Sequence, residues 1–325
     1  MDIRIGLHVG NFDWPGSPAN LSEKLVEIAE TVDTAGFYSL TVMDHLFQLG
    51  TRYGEIHGPL EAPMLEGYST MAYLAAKTQH IKLGVLATCG FFRYPGLLVK
   101  MVSTIDVLSG GRALLGIGAG WFEEEAYGLG IPLPVTWSER FERLEETLQI
   151  AHQMWAGNAA AFNGKYYQLA NPINIPRTVS RPHPPIIIGG SGEKKTLRLV
   201  ARYANGSNLV IGSPLPNKAF GVLARTEGNY AEWLNNVRQY TQQKLGVLQQ
   251  HCAAIGRRYE EIDKSIVTYI KTGPNGMSSA EIVQLCGDLV DLGFQYIIFV
   301  IQNCHEIEPL LLIGQEVIPA VKKFA

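Results

Sequence analysis

The sequence predicts a single (β/α)8 barrel, and three observations point there. Eight short apolar runs alternate with stretches that suit helices. No shift in composition divides the 325 residues into two units. Two of the apolar runs end in glycine clusters, Gly116-Ile-Gly118-Ala-Gly120 and Gly189-Gly190-Ser191-Gly192, where a barrel opens its site. The length alone suits two average domains or one large barrel. The unbroken alternation selects one domain, 1–325, with an insertion at about 157–185.

The first strand is 3–9, and a helix over 21–35 follows with apolar residues at 21, 25, 28, 29, 32 and 35, near helical spacing. Gly36 caps it. The second strand, 38–43, leads into a long polar loop from 44 to about 66, then a helix over 68–78. Strand 81–87 and helix 96–108 form the third unit, and Gly110-Gly111 turns the chain into a fourth strand at 112–117. That strand is short and uniformly apolar, so it is buried on both faces. Its glycines open onto a new helix, and a helix over 139–155 follows. The segment 157–185 is rich in Asn, Pro and Tyr and carries little helix. The alternation resumes with strand 186–188, helix 194–203 and strand 206–211, then a mostly polar helical region to about 255. Strand 265–271, helix 279–292, strand 295–301 and a closing helix over 306–324 complete the count.

Composition sets the function classes aside. Hydrophobic residues make up 46% and charged residues 18%, which describes a globular protein with a substantial core. A net charge of -3 gives no reason to expect nucleic-acid or membrane-surface binding. No apolar stretch reaches membrane-spanning length, and the chain starts directly on a strand pattern, so a cytoplasmic protein is expected. Cys89, Cys252, Cys286 and Cys304 are scattered, with no Cys-x-x-Cys pair, and are expected as free thiols. The eight histidines show no metal-ligand spacing, so no metal is assigned.

In a barrel, the active site lies at the C-terminal strand ends. That rule selects His8, Asn11, Asp44, His45, Thr88, Cys89, Gly118 to Trp121, Gly189 to Gly192, Gly212, Ser213 and Gln302. The loops after strands two and four and the insertion are long enough to form a lid. Asp44-His45 follows an apolar run directly. A histidine there can act as acid or base with a carboxylate neighbour to orient it, while a polar pair at a strand end is also ordinary turn chemistry. Gly189 to Gly192 opens the helix beginning Glu193-Lys194-Lys195-Thr196. Backbone N–H groups, glycine access and lysines there favour a phosphate, against the simpler reading of a glycine turn with solvated lysines. The spacing is not that of a Walker loop, and Gly116-x-Gly118-x-Gly120 departs from the dinucleotide fingerprint by one residue.

Four blocks carry a resemblance to a known family. They are Val42-Met-Asp44-His45; Leu83-Gly-Val-Leu-Ala-Thr-Cys-Gly-Phe-Phe-Arg93-Tyr-Pro95; Asp106-Val-Leu-Ser-Gly-Gly-Arg112 through Gly118-Ala-Gly120-Trp121 to Glu125; and Pro185-Ile-Ile-Ile-Gly-Gly-Ser-Gly192 with Ala204-Asn-Gly-Ser-Asn208. Together they cover nearly the whole chain in order. The chain resembles the luciferase-like monooxygenase superfamily, in its branch of oxidoreductases using the deazaflavin coenzyme F420.

The resemblance implies a TIM barrel holding a flavin or deazaflavin across the strand ends, in a homodimer. It places His45 near the deazaflavin ring with Asp44 beside it. Leu86, Ala87, Thr88 and Cys89 match the strand-three bulge behind the ring, which often carries a non-prolyl cis peptide. Gly118, Gly120 and Glu125 match the strand-four wall, and Gly189, Gly190, Ser191 and Gly192 the loop for the phosphate-bearing tail. Glu66 matches a recurring Glu-Gly-aromatic segment with no assigned role. Related sugar-phosphate dehydrogenases carry a glutamate where this chain has Trp121. Their acid is therefore missing unless Glu124 or Glu125 supplies one, and sugar-phosphate oxidation is disfavoured. Where the branch has Asp-Gly-Trp, this chain has Asn205-Gly206-Ser207.

The expected activity is hydride transfer between F420 and a small organic substrate, with His45 handling the accompanying proton and Trp121, Phe91 and Phe92 walling the substrate pocket. Plain core is the competing role for the phenylalanines. An FMN-dependent monooxygenase using reduced flavin and oxygen is the alternative, and a flavin-binding barrel without turnover a third reading. Substrate specificity is expected from 47–64, the insertion and the region after 212.

Overall fold

Eight parallel strands close into a barrel, each a short apolar run buried along nearly its whole length. The computed structural model describes residues 2–53, 57–212 and 230–324. Strands β1 (Arg4–Val9), β2 (Ser39–Val42), β3 (Lys82–Cys89) and β4 (Ala113–Gly118) form the first half. A two-strand hairpin, β5 (Phe162–Asn163) and β6 (Gln168–Leu169), stands outside the barrel in the insertion. Strands β7 (Ile186–Gly189), β8 (Gly206–Ile211), β9 (Asp263–Ile270) and β10 (Tyr296–Ile301) complete the wall, and β10 returns to β1.

The helices pack outside this wall. They include α1 (Leu21–Thr34), α2 (Gly67–Ala75), α3 (Pro95–Leu108), α4 (Glu123–Gly128), α5 (Trp137–Trp155), α6 (Thr196–Tyr203), α7 (Tyr230–Ala254) and α8 (Ser279–Asp291). In α1 the buried side chains are Leu21, Leu25, Ile28, Ala29 and Val32, the helical stripe read from the sequence. Ser278 and Glu281 form a reciprocal capping box that starts α8. The larger core lies between strands and helices. A smaller one, including Leu86, Leu114, Ile187, Tyr296 and Ile298, fills the barrel interior. Strand β4 is buried on both faces, as its uniform sequence requires.

Several boundaries differ from the sequence reading for local reasons. Thr136 caps α5 by accepting the Glu139 N–H at 3.2 Å, so that helix starts at Trp137. The closing helix is interrupted: α9 (Glu308–Leu312) and α10 (Ile318–Val321) flank a π-helical turn at Ile313–Val317. The short helix α4 directly follows the strand-four glycines. Ser213 lies outside the described residues.

Candidate active site

A cavity of about 900 Å³ sits at the C-terminal mouth of the barrel. Its wall runs from His8 on β1 past Asp44 and His45 to the glycines of β4, and on to Gly189 through Thr196 beyond β7. Most of the residues selected from the strand-end rule therefore meet in one place.

Strand β3 explains the wall behind that cavity. The β3–β4 register pairs Val85 with Leu115 but Thr88 with Ile117, so β3 carries one extra residue. Gly116 makes room for it. A Cβ there would lie 2.5 Å from the Val85 carbonyl oxygen. Leu86 and Ala87, joined by a cis peptide bond, both line the cavity, as does Cys89. Thr88 does not, which corrects its assignment: it is turned behind the strand, its hydroxyl 2.8 Å from the Tyr68 hydroxyl. The bulge shifts the inside–outside alternation that sequence reading counts on. Phe91 is likewise corrected. A turn in which the Phe92 N–H donates to the Cys89 carbonyl sets Phe92 on the cavity wall in its place.

Asp44 and His45 both border the cavity, but they serve different partners. Adjacency predicts Asp44 as the neighbour of His45; the structure supplies Glu125 instead. The Glu125 carboxylate lies 2.7 Å from His45 Nδ1 and accepts the Leu46 N–H at 2.6 Å. Glu125 is 1% exposed, carried there by the short helix α4. Two bonds from one buried carboxylate fix the imidazole plane and leave Nε2 for a ligand.

Asp44 is an anchor. Its carboxylate accepts the Cys89 N–H at 2.9 Å and both Arg93 guanidinium nitrogens, at 2.8 and 3.0 Å. Arg93 also pairs with Glu66, which caps α2 by accepting the Tyr68 and Ser69 N–H groups. The role of the Glu-Gly-aromatic segment is thereby plain: it ties α2 to the ends of β2 and β3. Burial opposes charge on Glu66, yet the Ser69 side chain, the two N–H bonds and Arg93 hold its carboxyl below the usual range. The sequence shows Arg93 inside a motif without revealing this role, because the partners lie 27 and 49 residues away.

Trp121 faces the cavity within an aromatic cluster. Its ring is 5.7 Å from His45, 5.3 Å from Tyr53 and 5.4 Å from Phe122. Where sugar-phosphate dehydrogenases of the resemblance carry an acid, this chain has an apolar wall. Glu125, already bonded to His45, lies on the same wall.

The opposite end is suited to an anion. Gly190, at φ 123°, and Gly192 bring the chain to α6 without side chains in the way. Ser191, Lys194, Lys195 and Lys244 border the same end of the cavity. Lys244 is 2.6 Å from Glu193, and Lys195 donates to the Ser138 hydroxyl at 3.0 Å. A helix start with these cations attracts negative charge.

Histidines gather at the other side, around β1 and β2. Burial, reinforced by the positive charge that His45 and His57 can carry, lowers His8 from 6.5 to about 4. Burial, with His45, lowers His57 to about 4 as well. The unfolded chain therefore binds protons between pH 6.5 and 4 that the folded chain refuses. Stability is complete above that window and falls as pH drops through it. Urea denaturation at pH 7.5 and 5 is expected to show a loss of at least about 2 kcal/mol. A flat profile contradicts neutral burial of these rings. Sequence does not single out His57, since it sits inside a polar loop with no pattern to mark it.

Among the described residues no group of His, Cys, Asp and Glu is arranged to hold a metal, and no helix is long and apolar enough to cross a membrane. The four cysteines are unpaired and buried.

Comparisons with known proteins agree with this geometry. The luciferase-like monooxygenase family matches residues 1–284. An F420-dependent glucose-6-phosphate dehydrogenase of Nakamurella multipartita is 32% identical over 187 residues, covering 56% of this chain and 50% of that protein. The Nocardia farcinica protein of the same name is 30% identical over 247 residues, covering 75% of this chain and 63% of its own length. The chain thus spans about half the length of the first of these curated relatives. Among solved structures, an F420-dependent secondary alcohol dehydrogenase superposes with a TM-score of 0.76 at 15% identity, covering 99% of each chain. The F420-dependent tetrahydromethanopterin reductase of Methanopyrus kandleri gives 0.73 at 16% identity, covering 98% of this chain and 99% of that one. These structural likenesses concern the fold, whereas the family match runs through every strand from β1 to β9 and into α8: the chain belongs to the luciferase-like monooxygenase family.

Proposed function

We propose that this protein is an oxidoreductase that binds coenzyme F420 and transfers hydride between it and a small organic substrate. The observation that carries the reading is the His45–Glu125 pair on the wall of a cavity whose far side is a glycine-lined helix start. The first curated relatives are named for F420-dependent dehydrogenation, which supports the cofactor choice.

The residues fit such a group. A Cβ at Gly189 would lie 3.3 Å from the Ala87 Cβ, and one at Gly118 would lie 3.7 Å from it. Glycine at both positions keeps the slot between β3, β4 and β7 open for a flat ring. Leu86, Ala87 and Cys89 would back that ring, Gly118 and Gly120 would flank it, and Gly189 to Gly192 with Lys194 and Lys195 would take the phosphate-bearing tail. When bound, a deazaflavin supplies a ring carbon that accepts or releases hydride as a two-electron unit.

The chain's own part is proton handling and shielding. Glu125 accepts the Nδ1 hydrogen of His45, so Nε2 is the atom that takes a proton from, or gives one to, the substrate oxygen. The buried carboxylate also steadies the imidazolium formed when Nε2 takes the proton. Trp121 and Phe122 pack edge-on against the His45 ring and limit its contact with water. Asp44 holds β2 to β3 and is a positioning residue.

Titration of the purified protein tests the reading. Deazaflavin F420 is expected to bind at least about tenfold more tightly than FMN, a difference of about 1.4 kcal/mol. Tighter binding of FMN overturns the choice and favours the monooxygenase alternative; structural neighbours that contain FMN, such as riboflavin lyase, share the fold. A cytoplasmic homodimer belongs to the same reading. Exposed Tyr94 just before α3, Leu97 on α3, and Ile173 and Ile175 in the insertion are apolar side chains available to it.

A further inference from the structure

The strand-end rule singled out His8, and hydride transfer as derived above leaves it without a task. It stands on β1, in a wall shared by the main cavity and a smaller annex of about 30 Å³. His57, Met43 and Tyr269 border both spaces.

The position of the His8 proton follows from its neighbours. The Thr41 hydroxyl donates its single hydrogen to the Leu7 carbonyl at 3.3 Å. In that arrangement its oxygen, 3.0 Å from His8 Nδ1, accepts the hydrogen from that nitrogen, which is the tautomer the subsite requires. With Nδ1 protonated and the ring neutral, Nε2 presents a bare lone pair. Burial favours the neutral ring, and so do His45 and His57 nearby. The adjoining His57 imidazole is 2% exposed, and neither of its nitrogens has a hydrogen-bond partner. Buried polar atoms left this way are costly, and a ligand that reaches them recovers the cost.

We propose that His8 and the annex form a subsite for an uncharged substrate group that donates a hydrogen bond, a hydroxyl or an N–H, attached to a compact apolar end. The subsite rests on the reading of the large cavity as a hydride-transfer site and adds the class of substrate it takes. A carboxylate or phosphate brings only acceptor atoms against the Nε2 lone pair and is repelled. The annex walls, Val9, Val300, Ile301 and Trp14, receive the apolar end. Their space admits about two water-sized groups, which limits that end to a short branch.

The test uses propan-2-ol, acetone and isobutyrate, one short branch bearing a donor, an acceptor and an anion. Each is titrated into protein labelled with nitrogen-15 in its imidazoles, followed by ring-nitrogen NMR, with and without F420. The free protein is expected to show His8 protonated at Nδ1 and bare at Nε2. Propan-2-ol should shift the Nε2 signal saturably and bind about tenfold more tightly than the other two. His8→Leu should bring that ratio to about one, and His8→Gln, which keeps an acceptor, should restore most of it. A signal showing Nε2 protonated, or ketone or carboxylate binding as tightly as alcohol, overturns the subsite. Both are read in the wild-type protein, so the test stands even where a variant fails to fold. Failure of F420 to bind while the alcohol preference persists would sink the cofactor reading and spare the subsite; the reverse pattern does the opposite.

Discussion

Arg93→Met is expected to lower the unfolding free energy by about 3 to 5 kcal/mol, measured by urea denaturation. The Asp44 carboxylate is wholly enclosed, and Arg93 is its cation, with two bonds in a fork that a lysine cannot reproduce. Methionine fills much of the same volume and sits acceptably against the Tyr68 ring, 4.6 Å from the present guanidinium. The loss is therefore electrostatic. The Asp44 charge is stranded, keeping only the Cys89 N–H, and Glu66 loses its partner. Adding Asp44→Asn removes the stranded charge, so the double variant should recover part of the loss. A single-variant cost under about 1 kcal/mol shows that Asp44 is held by something other than Arg93.

His45→Ala is expected to reduce kcat by about 10²- to 10⁴-fold while F420 affinity stays within about tenfold. The ring contributes at the proton-transfer step, and most of the coenzyme's surface would lie against β3, β4 and β7 rather than on His45. Glu125→Gln should cost less, about 10- to 100-fold. Its amide oxygen can still accept from Nδ1, but the charge that steadies the imidazolium is gone, and the Leu46 N–H at 2.6 Å loses a carboxylate acceptor. Steady-state rates and coenzyme titration on the same preparations give both numbers. Unchanged turnover in His45→Ala removes it from the chemistry.

The barrel is legible because each strand is a short apolar run set off by glycine, proline or a polar loop, and strand-end placement then delivers Asp44, His45, Gly118, Gly120 and Gly189 to Gly192 to one cavity. What fails has physical causes that one-dimensional patterns do not carry. Unbroken alternation through 86–89 would put Thr88 on the cavity wall, and the extra residue in β3 breaks alternation there. Phe91 gives way to Phe92 at the turn that follows. Asp44 looks like the acid partner of His45 because the two are adjacent, but adjacent side chains diverge and the true partner arrives from 80 residues on. His57 has no chance of being noticed, since its meaning comes only from the void beside it. Glu66 shows itself as a motif, and only the geometry reveals the bonds it makes.

All four native thiols are buried, and burial pushes Cys89, Cys286 and Cys304 up to about 12 and raises Cys252 as well. Since only thiolate attacks maleimides and disulfides at a useful rate, the folded protein is nearly silent to such reagents near neutral pH. That makes it a clean background for site-directed probes. A cysteine placed in the long loop after β2 would carry the only fast-reacting sulfur in the chain, so a dye there could follow the lip of the cavity as ligands arrive, with no native residue needing to be removed first.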